Sequence, residues 1–290
     1  CSSTVVKQLQ EIGAIIQRHC QGAELVEIGC GKGFLLEYLA SLGARITGFD
    51  PAYEGDNPSI IKEYYGCESS IRADGIILRH VLEHISNPIE FLFGIRNAKR
   101  ETKIFIEVPC FDWISQKRAW FDIFYEHVNY FREDDFIRIF GKIYELGHFF
   151  GGQYLYILAD LASLREPAFN GEFVALPDDF LWSVQTASGL VKSIPKKPSV
   201  VWGGASKGVI FSLLMKRAGA DIDHVIDINP SKQGMFLPAT GLKVSSPEEV
   251  LSLLPDETNI FIMNSNYAEE IISLAGDRFQ YWRIDNDFQR

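Results

Sequence analysis

The sequence is short of cysteine, of basic residues relative to acidic ones, and of long apolar runs, and each shortage argues against a class of protein. Its five cysteines are scattered over 290 residues and include no C-x-x-C pair of the kind found in zinc or redox sites. Lys and Arg number 28 against 38 Asp and Glu, and the net charge of −10 disfavours nucleic-acid and anionic membrane partners. No apolar run approaches the roughly 18 residues needed to cross a bilayer, and no basic-then-apolar leader opens the chain. We therefore expect a cytoplasmic protein with free thiols that acts on a small molecule.

Apolar residues are plentiful, at 47% of the chain, and they occur in alternating strand-like and helix-like runs. The first half is predicted to contain helices at residues 5–19, 34–42 and 88–98, and strands at residues 24–28, 44–49, 75–78 and 103–108. An aromatic-rich stretch at 121–140 is predicted to be helical, and runs at 143–150 and 154–158 are predicted to form an antiparallel pair at the sheet edge. This alternation predicts an α/β fold with a parallel sheet covered on both faces.

A second βα series follows a break in the pattern, where Pro167, Gly171 and Pro177 interrupt the periodicity. Helices are predicted at 178–193, 208–218, 247–254 and 267–275, and strands at 199–202, 224–228, 259–263 and 281–284. We therefore predict two Rossmann-like units in tandem, a first domain at 1–165 and a smaller one at 166–290.

The strongest motif runs from Glu27 to Gly33 after the first predicted strand, an acidic residue followed by G-x-G-x-G. Glycines at Gly29, Gly31 and Gly33 let the backbone turn sharply and approach a ligand that a Cβ would exclude. A dinucleotide loop is normally spelled G-x-G-x-x-G, so this spacing favours an adenosyl cofactor. Glu27 can accept hydrogen bonds from the amino group of a methionine moiety, and Asp50, ending the second strand, can bind both ribose hydroxyls. The alternative for Asp50 is a turn acid that caps the next element.

This arrangement resembles the class I S-adenosylmethionine-dependent methyltransferases over roughly Val26 to Val108. Asp74, at the start of a predicted strand, supports the resemblance. So does the run from Arg79 to Ile85, which looks like the V-L-E-H stretch beside the methyl-transfer site of many small-molecule methyltransferases. The resemblance implies cofactor contacts from Asp74 and His80 and a place near the reacting atoms for His84. A metal pair of His80 and His84 is a weaker interpretation, because the H-E-x-x-H register is not present, and we expect no metal.

Adjacent Glu126 and His127 lie in a run framed by aromatic residues, where the substrate pocket of such a fold opens. Histidine is the side chain best matched to proton transfer near neutral pH. We expect His127 to be the base, poised by Glu126. The alternative is a helix whose aromatic residues are core and whose Glu and His are solvated.

Several phrases resemble a narrower family, the sugar C-methyltransferases, which act on nucleotide-linked keto-deoxysugars. They are the runs Gly203–Gly208 and Asp227–Gly234, the pair Leu237-Pro238, and an E-H-x-x-Y-F signature from Glu126-His127 to Tyr130-Phe131. With the methyltransferase core, the resemblance covers the chain from about Val26 to its C-terminus. Two features depart from the family: no cysteine-rich zinc-binding domain opens the chain, and Phe124 replaces an expected catalytic Tyr. The hydroxyl that would steady an enolate must then come from elsewhere, such as Tyr125.

The resemblance implies that a base removes a proton beside a ketone and that the enolate attacks the methyl group of S-adenosylmethionine. The candidate residues are His127, Glu126, His84 and Tyr125 for catalysis, Glu27, Gly29, Gly31, Gly33, Asp50, Asp74 and His80 for the cofactor, and Tyr130 and Lys207 for the substrate. Lys207, at a predicted helix start, could hold a phosphate of a nucleotide sugar, although its glycine run could equally be a tight turn. Rival functions are an O-methyltransferase on a sugar or glycan precursor, a non-catalytic cofactor-binding protein, and an NAD-dependent oxidoreductase.

Overall fold

A computed structural model of the chain describes residues 3–66, 71–98, 102–168, 173–193 and 197–288. The chain divides into two units, one made of Cys1–Asp112 with Glu126–Phe173 and the other of Trp113–Tyr125 with Val174–Arg290. It therefore enters the second unit at Trp113, returns to the first at Glu126, and leaves it again after Phe173. The domain boundary predicted after residue 165 stays a prediction. It assigns residues 113–125 to the first domain, whereas the structure groups them with the second unit.

The first unit is built on a largely parallel sheet. Its strands are β1 (Glu24–Ile28), β2 (Arg45–Phe49), β3 (Ile60–Ile61), β4 (Gly75–Arg79), β5 (Lys103–Pro109), β6 (Ile143–Phe149) and β7 (Tyr154–Asp160). Its helices are α1 (Ser3–Cys20), α2 (Phe34–Ser41), α3 (Pro88–Ala98), the start of α4 (Phe111–Gln116) and α5 (Glu133–Ile139). Among the described residues the strand order is β3-β2-β1-β4-β5-β7-β6, with β7 antiparallel to both of its neighbours. The carboxyl ends of β1, β2 and β4 therefore meet at one edge.

Helix α1 covers one face of this sheet with a stripe of apolar residues. Leu9, Ile12 and Ile16 recur at helical spacing and are at least nine-tenths buried. They belong to one core cluster with Ile77 of β4 and Phe105 of β5. Burial of this apolar face, at roughly 25 cal/mol per Å², fixes the leading helix beside the strands that carry the candidate site.

The second unit is a smaller sheet whose described strands are all parallel. Its strands are β8 (Ser199–Trp202), β9 (His224–Ile226), β10 (Val244–Ser245), β11 (Asn259–Ile262) and β12 (Gln280–Arg283), in the order β10-β9-β8-β11-β12. Its helices are α6 (Trp182–Ser193), α7 (Ser206–Arg217), α8 (Pro247–Leu251) and α9 (Ala268–Ala275). Trp120, from the 113–125 segment, is buried in this unit, where its ring stacks on Phe211 at 5.8 Å and its Nε1 donates to Ser183 Oγ at 2.8 Å.

The predicted fold class is confirmed, and the strands and helices of both series form within a few residues of their predicted bounds. The antiparallel pair at the sheet edge is also as predicted. The single helix predicted at 121–140 is wrong. A short 3-10 turn at Trp120–Asp122 is followed by non-helical chain, and α5 begins only at Glu133. The aromatic residues of this stretch are spaced like those of a single amphipathic helix, but they pack in two different cores. Phe121 belongs to the second unit, and Phe131 and Phe136 belong to the first.

Two predictions from composition concern membranes and thiols. In the described part of the chain, no helix is both long and apolar enough to cross a membrane. Cys20, Cys30 and Cys110 are buried thiols. Cys1, Cys67 and the breaker Gly171 lie outside the described residues.

Candidate functional site

The glycine loop leaves the carboxyl end of β1 with three residues in the left-handed backbone region. Gly29, Gly31 and Gly33 have φ angles of 70°, 55° and 79°, which favour glycine. A Cβ on Gly29 would lie 2.4 Å from Val81 Cγ2, and one on Gly33 would lie 2.7 Å from Ile60 Cδ1. A Cβ on Gly31 would meet no atom within 4 Å among the described residues. Two of the glycines are thus required by packing, and the third exposes backbone over open space.

Glu27 is a buried carboxylate on β1 that still has an oxygen available. The residue is 2% exposed. The carboxylate hydrogen-bonds to the backbone amide of Leu36, and Oε2 has no hydrogen-bond partner in the described parts of the chain. Burial raises the pKa of Glu27 to about 7, against the opposite effect of Arg79. A buried acceptor without a donor is costly, so a ligand ammonium group would supply what this carboxylate lacks.

Asp50 links the ends of β1 and β2. Its Oδ2 accepts the Gly31 N–H at 2.7 Å, and its Oδ1 accepts the Ala52 N–H at 2.8 Å. Each oxygen keeps a second lone pair. The backbone therefore orients this carboxylate beside the glycine loop and leaves it able to accept from a pair of hydroxyls.

Asp74 lies at the other end of the strands. It precedes β4, and its Oδ2 accepts the Glu24 N–H at 3.0 Å while its Oδ1 lies 3.2 Å from Arg72 Nε. Since β1 and β4 are parallel, the length of a strand, about 15 Å, separates Asp74 from the glycine loop. The predicted cofactor contact is corrected accordingly: Asp74 braces the start of β1.

The carboxyl end of β4 carries two cations around a fully buried carboxylate on β5, Glu107. Arg79 Nε donates to Glu107 Oε2 at 2.7 Å, Gln8 of α1 donates to Oε1, and His80 Nε2 lies 3.5 Å from Oε1. Burial alone would raise the pKa of Glu107, but Arg79 and His80 lower it to about 2. Burial likewise opposes the charge on His80, yet hydrogen bonds to Glu107 and Glu83 raise the pKa of His80 to about 9. Sequence reasoning missed Glu107 and Gln8, although a lone acid inside an apolar strand signals a buried ion pair.

Two loops that the sequence marks separately are hydrogen-bonded to each other. The carbonyl of Glu83, in the 3-10 turn Leu82–His84, accepts the N–H groups of Val128 and Asn129 at 3.0 and 3.1 Å. Asn129 Nδ2 donates to the Ile85 carbonyl at 2.6 Å. The V-L-E-H stretch and the segment that carries His127 are therefore one structural feature, which we name the two-loop junction (residues 82–85 and 126–129).

The imidazoles of His84 and His127 meet edge to face at the two-loop junction, with ring centroids 4.8 Å apart and planes at 72°. His84 Nδ1 lies 2.8 Å from the Glu126 carbonyl oxygen, and because a carbonyl only accepts, this nitrogen carries the hydrogen. The Tyr130 ring is 5.9 Å from that of His127. Burial lowers the pKa of His127 to about 4, against the opposite effect of Glu83, so its ring is neutral and able to accept a proton at neutral pH.

Two other predicted catalytic residues, Glu126 and Tyr125, are exposed. The Glu126 side chain is exposed, and the residue contributes its carbonyl to the junction. Tyr125 is 85% exposed and belongs to the second unit. His80 and His84 do not share a helix, because one follows β4 directly and the other ends a 3-10 turn.

Glu83, whose carboxylate lies close to the two imidazoles, is 1% exposed. Its ligand atom and those of His84 and His127 all lie within 4.8 Å of one another. Zinc bound at 2.0–2.1 Å needs tetrahedral ligand atoms about 3.4 Å apart. This cluster would have to contract to hold such an ion.

In the second unit, the glycine run turns the chain from β8 into α7. A Cβ on Gly208 would lie 2.0 Å from the Gly203 carbonyl oxygen, so packing requires this glycine. Lys207 Nζ lies 2.9 Å from Asp122 Oδ2, and the two side chains are only 16% and 10% exposed. This ion pair argues against the predicted phosphate contact, because a phosphate would have to displace Asp122.

Asp227 repeats in the second unit the arrangement of Asp50 in the first. Its Oδ2 accepts the Gly204 N–H and its Oδ1 accepts the Asn229 N–H, both at 2.9 Å. Here, however, Lys232 Nζ also lies 3.1 Å from Oδ2. The chain's own cation thus pairs with the carboxylate that would meet a ribose, which disfavours the NAD-dependent rival.

Residues 6–143 match the family model described as a methyltransferase domain, and residues 187–281 match the one described as a C-methyltransferase C-terminal domain. The first of these ranges holds the glycine loop, Asp50 and His127, on a sheet of the class I order. The first unit is a class I methyltransferase domain. Such a domain takes S-adenosylmethionine as its methyl donor, which confirms the predicted enzyme class and cofactor for the domain.

Individual relatives match shorter stretches. The ubiquinone biosynthesis O-methyltransferase of Schizosaccharomyces pombe is 30% identical over 96 residues, or 27% of this chain and 35% of that enzyme. The enzyme of the same name from a Methylobacterium species is 35% identical over 85 residues, or 24% and 34%. The chain thus covers about a third of the length of these relatives. The solved structure of Burkholderia thailandensis 1,6-didemethyltoxoflavin-N1-methyltransferase aligns with a TM-score of 0.40 at 15% identity, covering 52% of this chain and 76% of that one.

Proposed function

We propose that this protein transfers the methyl group of S-adenosylmethionine to a carbon atom beside a ketone, with a nucleotide-linked keto-deoxysugar as the acceptor class. The observation that carries the proposal is the two-loop junction, which holds the imidazole of His127 against that of His84. The match of the second half to a C-methyltransferase C-terminal domain favours carbon as the acceptor.

The glycine loop and its surroundings fit the cofactor group by group. S-adenosylmethionine supplies an electrophilic methyl group on a sulfonium. The unpartnered Oε2 of Glu27 would accept from the amine, Asp50 would accept from the ribose hydroxyls, and the bare backbone of Gly31 would allow close approach. The cationic pair of Arg79 and His80 would face the carboxylate of the methionine moiety.

His127 is the base in this proposal. Its neutral ring accepts the proton from the carbon beside the ketone, and the electron pair of that C–H bond forms the enolate. The enolate carbon then bonds to the methyl group, and the methyl–sulfur electron pair stays on sulfur. His127 ends as an imidazolium that returns its proton to solvent. Holding the base and acceptor in fixed geometry supplies much of the rate, because the methyl donor is already activated.

O-methylation of a sugar or glycan precursor is the second candidate, favoured by the relatives named as O-methyltransferases. His127 would then take its proton from a hydroxyl. The structure of the product distinguishes the two candidates, because the carbon resonance of a methyl group bonded to carbon lies far upfield of that of a methoxy group. A cytoplasmic location, expected from the sequence, belongs to the same proposal.

The test combines turnover and cofactor binding of the His127→Asn variant. Removing a general base lowers turnover by about 10²- to 10⁴-fold, whereas S-adenosylhomocysteine should bind with nearly wild-type affinity and raise the melting temperature by mass action. Methyl transfer to a panel of nucleotide-linked keto-deoxysugars, followed by mass spectrometry, measures the first quantity, and calorimetry measures the second.

His224→Asn, a half-buried histidine on β9 of the second unit, is the matched control and should leave turnover unchanged. Turnover equal to that of wild type in His127→Asn would show that another residue is the base. A thermal shift with NADH and none with S-adenosylhomocysteine would contradict the function itself.

A further inference from the structure

Glu83 is a buried carboxylate that the reaction described so far does not use. Its side chain is 1% exposed. His80 Nδ1 lies 3.4 Å from Glu83 Oε1, a long hydrogen bond, and Oε2 has no hydrogen-bond partner among the described residues. Taking a carboxylate out of water with so few partners is expensive, so a structural role alone does not account for an acid at this position.

The position of Glu83 is tied to that of His127 by the backbone. The Glu83 carbonyl accepts the N–H groups of the two residues that follow His127, Val128 and Asn129. A carboxylate oxygen of Glu83 meanwhile lies within 4.8 Å of ring nitrogens of His84 and His127. Any proton that arrives on His127 therefore appears beside a fixed negative charge.

Glu126, the sequence neighbour of His127, is not placed to do this. Its side chain points to solvent, and its contribution to the junction is the carbonyl that accepts from His84. A charge in solvent is screened to a small fraction of its strength in a buried site. The adjacent acid in the sequence is thus electrostatically the weaker partner.

We propose that Glu83 is the positioning residue that stabilises the imidazolium formed on His127 during proton abstraction, in place of Glu126. The expected effect of Glu83 on turnover rests on the proposed function, whereas its expected effect on the titration of His127 does not. In the transition state His127 gains positive charge, and a preoriented buried carboxylate stabilises that charge without having to reorganise.

The charges that face His127 come from several elements. Glu83 and Glu126 favour its protonated form, whereas burial and the neighbouring His84 and His80 oppose it, and burial is the largest influence. Even with Glu83 present, the pKa of His127 is lowered to about 4, which makes the ring a weak base, because efficient bases have pKa values near the working pH. Removing Glu83 should weaken it further.

The experiment titrates His127 by NMR in protein labelled on the histidine rings, assigned with His127→Asn. Glu83→Gln keeps the shape of the side chain and removes its charge, and we expect the His127 titration to move to lower pH. Turnover should fall by about 10- to 100-fold with little change in KM, a smaller loss than removal of the base itself. The acid limb of the pH–rate profile should move in the same direction as the NMR titration.

Two variants make the result specific. Glu126→Gln removes the adjacent charge and should move the His127 titration less than Glu83→Gln does. Glu83→Asp keeps a charge at a greater distance and should recover part of both the titration shift and the turnover. If wild-type protein methylates no ketone, the proposed function fails, and the NMR titration still decides the role of Glu83.

Three results would overturn the inference. One is an unchanged His127 titration in folded Glu83→Gln, which would make the residue structural. Another is a larger shift in Glu126→Gln, which would return the role to the sequence neighbour. The third is loss of activity on treatment with a chelator and its recovery with Zn²⁺ in wild type but not in Glu83→Gln, which would make Glu83 a metal ligand.

Discussion

At the scale of single residues, Glu27 shows a conflict between folding and ligand binding. Its burial raises the pKa of its carboxyl to about 7, above the ordinary value near 4.3. The folded protein therefore holds the proton more tightly than the unfolded chain, and stability falls as pH rises through the window between these two values. Binding a cofactor ammonium needs the opposite, ionised state, so the residue destabilises the empty protein in the form that binds.

We predict that Glu27→Gln stabilises the cofactor-free protein above about pH 7.5 and abolishes the stability decrease between about pH 4.5 and 7. A shift from about 4.5 to about 7 corresponds, at about 1.4 kcal/mol per unit, to a gain of about 3–4 kcal/mol at most. The same variant should lose most of its affinity for S-adenosylhomocysteine. Urea unfolding over a pH series and calorimetry measure the two effects. Glu37→Gln, on the exposed part of α2, is the control, and equal stability of Glu27→Gln and wild type at high pH would contradict the argument.

At the scale of elements, the two-loop junction includes a side-chain hydrogen bond from Asn129. Asn129 Nδ2 donates to the Ile85 carbonyl at 2.6 Å, and both groups are partly buried. Exchanging the amide for a carboxylate replaces a donor with a second acceptor that faces a carbonyl oxygen. The two loops would then lose a bond and gain a repulsion within the junction that carries both imidazoles.

Asn129→Asp should therefore lower turnover while leaving cofactor affinity intact, since the hydrogen bond that it removes is made to Ile85 and not to the glycine loop. Its cost in unfolding free energy should be about 1–3 kcal/mol, the range for leaving a buried group unsatisfied. Steady-state kinetics, calorimetry and urea unfolding supply the three measurements. Asn97→Asp, an exposed amide on α3, should change none of them. A loss of cofactor affinity equal to the loss of turnover would show that the variant disturbs the whole unit.

The helices and strands were predictable where the spacing of apolar residues followed a single strand or helix pattern. β1, β4 and β5 are apolar runs of strand length, and α1 repeats its apolar residues at helical spacing, so local pattern was sufficient. The chain between Phe121 and α5 was not predictable, because its aromatic residues pack in two different units. The role that we propose for Glu83 could not be predicted from the sequence for a related reason. Glu83 lies far from His127 along the chain, and the hydrogen bonds of the junction bring the two stretches together.

At the scale of the whole molecule, the second unit is assembled from two separate stretches of chain. Trp120 and Phe121 of the 113–125 segment are 3% and 1% exposed, and Lys207 of α7 pairs with Asp122 of the same segment. The core of this unit is thus incomplete without residues 113–125, which are separated from the rest of the unit by nearly fifty residues of the first unit.

We predict that Trp120→Ala destabilises the second unit by about 3–5 kcal/mol, the usual cost of emptying a buried aromatic site, and leaves cofactor binding by the first unit in place. Hydrogen exchange read by mass spectrometry should show faster exchange in β8 and α7 than in β1 and β4. Tyr125→Ala, an exposed aromatic of the same segment, is the matched control. Equal acceleration in the strands of both units would mean that the two unfold together.

The looped path of the chain also sets an order for folding during synthesis. Residues 113–125 leave the ribosome before the 165 residues that follow them, and translation at about 5–20 residues per second takes roughly ten seconds or more to supply that length. During this interval the first unit can fold once Glu126–Phe173 has emerged. Trp120 and Phe121 remain unpacked, because the rest of the second unit's core has not yet been synthesised. The nascent protein consequently exposes two large aromatic side chains between the parts of the first unit. Chaperone occupancy during translation should therefore be highest after the first unit is complete and should end when α7 has been synthesised.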